Sequence, residues 1–293
     1  MIAEPSRLSG RDPLPAGSVA IRRHPRSRKD TPMVERTSYT PGTPNWVDLQ
    51  SPDVAASRTF YGALFGWSFE NVMGDEGEYW MASLRDLPVA AIGGHNPENT
   101  SPDAPARWNT YIATDHVDDV VAATADAGGA VVLPGFDVPG AGRMAWIADP
   151  SGPDVGLWQA GGHIGSRLVN EPGTVIWNEL ITTGLDSALP FYRSVLGIDA
   201  VTTQMGEGEY TVLRVDGTDV GGATRPPMPE APNHWHVYFA VDRTDEVAAK
   251  AEALGASVIV APFDIPTVGR VAVLHDPQGG FFSVLQPDMP AGE

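Results

Sequence analysis

Short stretches in which apolar and polar residues alternate recur along most of the chain, separated by Gly- and Pro-containing breaks. Residues 46–50, Trp-Val-Asp-Leu-Gln, predict a strand. After Ser51-Pro52, Asp53 opens a stretch in which Val54, Ala55, Phe60, Tyr61 and Leu64 form an incomplete helical stripe that Gly66 stops. Residues 78–84 and 89–92 predict strands around the Arg85-Asp86-Leu87-Pro88 turn. The order then repeats: a strand at 109–114, a helix at 117–127 ended by Gly128-Gly129, and a hairpin formed by 144–148 and 155–159. A β-α unit followed by several strands is thus read twice before residue 162.

The same order returns in the second half. Pro41-Gly42-Thr43 recurs as Pro172-Gly173-Thr174, Trp46 as Trp177, Asp48 as Glu179, and Phe60-Tyr61 as Phe191-Tyr192. After the loss of a few residues, Trp108 recurs as Trp235, Phe136-Asp137 as Phe263-Asp264, Gly142-Arg143 as Gly269-Arg270, and Asp149-Pro150 as Asp276-Pro277. An ordered series of this length indicates duplication. It divides the chain into a flexible tail at 1–40, a first domain at 41–162, a linker at 163–171 and a second domain at 172–290. Strands are predicted at 236–241, 271–275 and 281–286, and a helix at 244–254 ended by Gly255.

Composition narrows the function classes. Lys+Arg number 19 against Asp+Glu 37, a formal net charge of -18, so the surface should repel nucleic acid and anionic membrane. No apolar run approaches the roughly 20 residues that span a bilayer, and no secretory signal is apparent, so a cytoplasmic location is expected. The chain has no cysteine, which removes thiolate nucleophiles and Cys-based metal centres. Residues 21–30 form a small basic cluster within the tail. The glycine-rich pieces at 90–94 and 220–222 match neither a dinucleotide fingerprint nor a phosphate loop, so no nucleotide cofactor is expected.

Asp48-Leu49, Phe60-Tyr61, Leu64-Phe65-Gly66-Trp67 and Asp149-Pro150-Ser151-Gly152 resemble the vicinal-oxygen-chelate superfamily, also called glyoxalase/bleomycin-resistance/extradiol-dioxygenase proteins. Phe191-Tyr192, Val195-Leu196-Gly197, residues 236–242 and Asp276-Pro277-Gln278-Gly279 carry the resemblance in the second half. It implies an α+β fold of tandem glyoxalase-like domains, each with two β-α-β-β-β modules and curved mixed sheets around a small-molecule cavity. In metal-dependent members, His and Glu side chains hold an ion that chelates an oxygenated substrate. Here the places implied for those ligands carry Trp46, Asn109 and Gly156 in the first half and Trp177, His236 and Ser283 in the second. The resemblance therefore implies no inherited metal site and no cofactor; a rearranged Glu179/His234/His236 set remains chemically open.

The candidate catalytic residues are Asp48, Glu179 and His236, as proton carriers. Trp46, Trp158 and Trp177 are candidate ligand walls, with Trp108 and Trp235 at the mouths; Tyr79, Tyr210, Asn109, His234 and Ser283 are candidate polar contacts. Arg143 and Arg270 are expected to pair with Asp137 and Asp264. The expected partner is a small hydrophobic or aromatic metabolite, on a monomer or else a homodimer. The reading is metal-independent binding or accessory catalysis, such as cyclisation, isomerisation or rearrangement. A divalent-metal lyase, isomerase or oxygenase, and a non-catalytic sequestration or interaction protein, are the alternatives.

Overall fold

The computed structural model describes residues 35–95, 100–101, 103–205, 208–227 and 231–288. The tail expected at 1–40 lies outside them as far as residue 34. Residues 36 and 39 contact the segment that follows the first half, through Arg36 N–H to Arg167 O and Tyr39 OH to Ser166 O.

The first half runs β1 (Pro44–Ser51), α1 (Val54–Phe65), β2 (Ser68–Asn71), β3 (Tyr79–Leu84) and β4 (Leu87–Gly94), then β5 (Arg107–Ala113), α2 (Val117–Thr124), β6 (Ala130–Val138), β7 (Gly142–Ala148) and β8 (Asp154–Ala160). The second half repeats it as β9 (Val175–Ile181), α3 (Leu185–Leu196), β10 (Asp199–Met205), β11 (Gly208–Val215) and β12 (Thr218–Thr224), then β13 (His234–Ala240), α4 (Thr244–Ala253), β14 (Ser257–Ile265), β15 (Gly269–His275) and β16 (Phe281–Pro287). All four β-α-β-β-β modules are present.

Local chemistry explains the helix ends. Asp53 caps α1 by accepting from the Ala56 N–H at 2.9 Å, and Gly66 closes it in the left-handed region at φ 77, where glycine carries no steric penalty. Val54, Ser57, Phe60, Tyr61 and Leu64 give α1 one buried face. Its counterpart α3 accommodates Pro190 and ends in the same way, at Gly197 with φ 67.

Each half is one eight-stranded mixed sheet, in the order β2-β3-β4-β1-β5-β8-β7-β6 and β10-β11-β12-β9-β13-β16-β15-β14. Within a module the helical crossover brings the last strand beside the first in parallel (β1/β4, β9/β12), and two modules join through antiparallel central strands (β1/β5, β9/β13). The expectation of curved sheets enclosing a cavity is overturned: both sheets are open arrays, neither curved nor closed on themselves. The reason lies in the pairing, because joining modules through their first strands leaves β2 and β6, or β10 and β14, at opposite ends. The edges at β6 and β14 carry bulges and internal prolines, Pro134 and Pro262, which resist further pairing.

The sheets contact one another through β5 and β13, and Thr110 Oγ1 donates to Asn178 Oδ1 at 2.9 Å across the join. Both main cores mix the two halves. Val47, Phe60, Tyr61 and Trp108 pack in one cluster with Val237, Phe239, Phe282 and Val284; α2 and α3 residues share the other with Ile147, Leu180 and Trp235. Tyr61 of α1 reaches Asp276 Oδ2 at 2.8 Å and accepts from Trp108 Nε1 at 2.8 Å. Tyr192 of α3 reaches Asp149 Oδ2 at 2.9 Å and accepts from Trp235 Nε1 at 3.0 Å. The Asp-Pro turns are therefore held by the helix of the opposite half. Trp108 and Trp235, expected at cavity mouths, are instead buried parts of these latches.

Candidate functional site

Alternation along the central strands sends Thr110 and Asn178 toward the join between sheets, and Asp48, Asn109, Glu179 and His236 to the opposite, outer faces. The repeated Trp-x-acid pattern then acts as a unit in both halves. Trp46 Nε1 donates to Tyr79 OH at 3.0 Å, and Tyr79 OH donates to Asp48 Oδ2 at 3.1 Å. Trp177 Nε1 donates to Tyr210 OH at 2.9 Å, and Tyr210 in turn hydrogen-bonds the Glu179 carboxylate. A second tyrosine completes each carboxylate: Tyr111 on Asp48 at 2.8 Å and Tyr238 on Glu179 at 2.7 Å. Two glycines make room for this. A Cβ on Gly222 would collide with the Tyr210 hydroxyl, and one on Gly156 would fall against the Tyr111 ring.

The two faces diverge from there. On the first, Asn109 Nδ2 donates to Asp48 Oδ1 at 2.8 Å, so both carboxylate oxygens are engaged. Trp46, Tyr111, Trp146 and Trp158 cluster over the network, and Trp46, Tyr111 and Trp158 are only 4%, 5% and 6% exposed. The segment after β8 closes the cluster. His163 stands edge-on to Trp46 with ring centroids 4.5 Å apart, and Trp158 Nε1 donates to its carbonyl at 2.8 Å. The Ala141 carbonyl holds that segment through Gly161 N–H and His163 N–H. Burial lowers the His163 pKa to about 4, so its ring is neutral.

On the second face His236 replaces Asn109, directly opposite Glu179 in the ladder. Its Nε2 lies 2.8 Å from Ser283 Oγ and its Nδ1 is buried without a protein partner. Trp177, Tyr210, His234 and Tyr238 are half-buried, so this face is the more accessible of the two. Burial pushes the Glu179 carboxyl above the usual range, opposed by its tyrosine hydrogen bonds, and pushes His236 down to about 3. Asp48 is also raised by burial, with Asn109, Tyr111 and Tyr79 opposing. Arg143 and Arg270 pair with Asp137 and Asp264 as expected, and each also takes a helix carboxylate, Asp118 or Asp245. They belong to the periphery of the sheets.

All eleven candidate residues thus fall in two groups. Asp48, Trp46, Tyr79, Asn109 and Trp158 come together on the first face; Glu179, His236, Trp177, Tyr210, His234 and Ser283 belong to the second. Tyr111, Tyr238 and His163 were not singled out from the sequence. The tyrosines carried a signal, since each lies two residues beyond Asn109 or His236 on the same strand face.

The family's usual metal needs three side-chain donors at these places. On the first face the third position is Gly156, and the Tyr111 ring fills the space of any side chain there. On the second, Trp177 and Ser283 flank His236, while His234 Nδ1 is 2.8 Å from the Pro232 carbonyl. Among the described residues no group of three His, Cys, Asp or Glu side chains is placed to hold an ion. A three-side-chain centre does not fit either face.

Four β-α-β-β-β modules, paired into two sheets with carboxylate networks on the outer faces, define a two-half glyoxalase-type α+β protein. The chain belongs to the Glyoxalase/Bleomycin resistance protein/Dioxygenase superfamily, which matches residues 43–156 and 169–283. It is 53% identical over 258 residues to a putative glyoxylase, CFP32, of Mycobacterium tuberculosis, covering 87% of this chain and 98% of that protein. It is 38% identical over 263 residues to the anthracycline biosynthesis protein DnrV of Streptomyces peucetius, covering 85% and 95%. Among solved structures it is similar in fold to an Mn(II)-bound glyoxalase from Novosphingobium aromaticivorans, with TM-score 0.60, 16% identity, and coverage of 84% of this chain and 82% of that one. Among the described residues no helix is long and apolar enough to cross a membrane.

Proposed function

We propose that the second outer face, around Glu179 and His236, binds a small oxygenated, partly aromatic metabolite and exchanges a proton with it. The observation that carries this reading is the contrast between faces: aromatic side chains and His163 cover Asp48, whereas Glu179 lies beside an unpartnered buried imidazole nitrogen and is surrounded by the half-buried Trp177, Tyr210 and Tyr238. Glu179 and His236 would meet the oxygenated end. Trp177 supplies a flat apolar wall whose N–H is already committed to Tyr210, leaving its ring face for an aromatic ligand. A carboxyl held above its ordinary pKa can return a proton it has removed, the requirement for isomerisation, cyclisation or rearrangement. The name of the relative in anthracycline biosynthesis supports the ligand class.

A 4-methylphenol titration followed by NMR tests this. The Trp177 indole and His236 ring signals should shift while those of Trp46 and Trp158 stay fixed, and Glu179→Gln should weaken binding. Shifts confined to the first face, or no binding, would reject the reading.

A divalent-metal-dependent lyase, isomerase or oxygenase is the second reading. The family match, which spans glyoxalases and dioxygenases, favours it, as does the free His236 Nδ1 beside Glu179. It requires a centre with fewer protein ligands than the family's usual three. Mn(II) calorimetry separates the readings: one equivalent bound by the native chain and lost in both Glu179→Gln and His236→Asn supports the metal, and an isotherm indifferent to both substitutions counts against it.

A further inference from the structure

We infer that Glu179 and His236 exchange a proton through Tyr238 and Ser283, and that the ligand group at His236 Nδ1 is a hydrogen-bond donor, a hydroxyl. The inference rests on the proposed site and adds the path of the proton and the chemistry of the group that gives it up. Tyr238 OH donates to Glu179 Oε2 at 2.7 Å, and a carboxylate can only accept, so the single tyrosine proton is committed there. Ser283 stands across from Tyr238 in the parallel ladder and donates its own proton to the Tyr238 oxygen. With that proton engaged, Ser283 Oγ can only accept from His236 Nε2, 2.8 Å away. His236 therefore carries its proton on Nε2, and Nδ1, buried without a protein partner, presents a bare lone pair. A buried acceptor without a partner is destabilising, and a single donor removes the penalty. The neighbouring rings of His234 and Tyr238 stand at centroid distances of 5.5 and 5.0 Å and are half-buried, so side chains that touch solvent border this imidazole.

The path lets a buried imidazole move a proton without becoming charged. Burial holds His236 neutral, so an imidazolium is a poor intermediate there. When the ligand O–H bond breaks and Nδ1–H forms, Nε2 passes its proton to Ser283 Oγ, Ser283 passes its own to Tyr238, and Tyr238 passes its own to Glu179 Oε2. Every group along the path loses a proton and gains a proton, so only the ends change: the ligand becomes an anion and the Glu179 carboxylate becomes neutral. His236 finishes as the other tautomer, with Nδ1–H donating to the anion it has made. The first face is the control. Tyr111 donates to Asp48 at 2.8 Å as Tyr238 does to Glu179, but Gly156 stands across from it in the ladder and Asn109 replaces the histidine. The Asn109 amide bonded to Asp48 Oδ1 holds the carboxylate and gives up no proton. Both halves keep the Trp–Tyr–acid unit, and the path exists only where His236 and Ser283 extend it.

Long-range proton–nitrogen NMR of the imidazoles in the full chain tests the path, with His236 assigned by its loss in His236→Asn. His234 is the internal reference: its Nδ1 lies 2.8 Å from the Pro232 carbonyl, which can only accept, so it holds the Nδ1–H tautomer. His236 should show the opposite tautomer, Nε2–H, near neutral pH. Tyr238→Phe frees the Ser283 hydroxyl to donate to Nε2 and should turn His236 to Nδ1–H, whereas Tyr111→Phe should leave it unchanged. In calorimetry 4-methylphenol should bind the native chain about tenfold more tightly than its methyl ether, 4-methylanisole, and the ratio should fall to about one in Tyr238→Phe. Nδ1–H in the native chain, or a tautomer or ratio that Tyr238→Phe leaves unmoved, overturns the path, and a native ratio near one overturns the hydroxyl; in each case the proposed site stands if 4-methylphenol still shifts Trp177. Failure of both molecules to bind overturns the proposed site and the hydroxyl with it, while the tautomer of the free chain still decides the path.

Discussion

The two outer faces descend from one pattern and have gone opposite ways. Both keep the Trp–Tyr–carboxylate relay and the second tyrosine. The first adds Asn109 to Asp48 and covers the network with Trp146, Trp158 and His163; the second has His236, Val273 and Leu285 at the related places, and its Trp177, Tyr210 and Tyr238 are half-buried. A buried carboxylate with every oxygen engaged and large rings above it is built for rigidity. The same carboxylate beside a neutral imidazole keeps a polar neighbour, His236, whose Nδ1 has no protein partner. What separates the two networks is less the acidic residue than its neighbours, Asn109 on one face and His236 on the other.

The largest test of this comparison is Asp48→Ala. It orphans three buried donors and should cost about 3–5 kcal/mol in urea unfolding. Glu179→Ala, on the accessible face, should cost roughly half as much. Equal costs would break the distinction between a sealed and an open network.

Acid stability sharpens it next. The folded-state pKa of His236, about 3, lies below its ordinary 6.5, so the unfolded chain takes up the proton first. Its contribution is complete above about pH 6.5 and is lost on acidification toward about pH 3, at up to about 1.4 kcal/mol per pH unit. The raised carboxyls of Asp48, Glu179 and Asp276 act in the other direction, since the folded chain protonates first there and gains stability as pH falls. The difference between the native chain and His236→Asn, which installs the first face's residue, isolates the histidine. A difference independent of pH would show that His236 titrates normally.

The reciprocal latches should give a smaller and symmetric effect. Tyr61→Phe and Tyr192→Phe each remove one hydrogen bond to a buried carboxylate and should lower stability by about 1.5–3 kcal/mol. Strongly unequal losses would show that one helix, and not both, secures the halves.

His163→Ala is the mildest. It should cost about 1 kcal/mol and expose Trp46 and Trp158 to acrylamide quenching, making the first face resemble the second. Unchanged quenching would mean that the segment after β8 does not seal the face.

Much of the architecture was legible. Trp46-Val-Asp-Leu and its echo at 177 mark first strands, Asp53 and Gly66 bracket a helix, and Gly255 directly follows the cap of another, whereas α2 stops at Thr124, short of the Gly128-Gly129 expected to end it. The edge strands β6 and β14 were missed because they are exposed along nearly their whole length, show no alternation and contain Pro134 and Pro262. Curvature was expected from the resemblance and was not found. The grouping of the candidates was half visible, since alternation places His234, His236 and Tyr238 on one face. His163 gave no signal, because a residue outside any periodic element carries no facing information.

The sequence by itself determined the duplication and the module order, since these are properties of residue type and spacing along the chain; that Trp46, Asn109 and Gly156 stand at the family's ligand places is what the resemblance implied. Only the tertiary structure decided that Tyr61 and Tyr192 latch the opposite half, that Trp108 and Trp235 lie inside, and that His163 packs over Trp46 on the first face. Those outcomes depend on which strands pair across the join and how much volume each neighbour fills, and neither quantity is local in sequence.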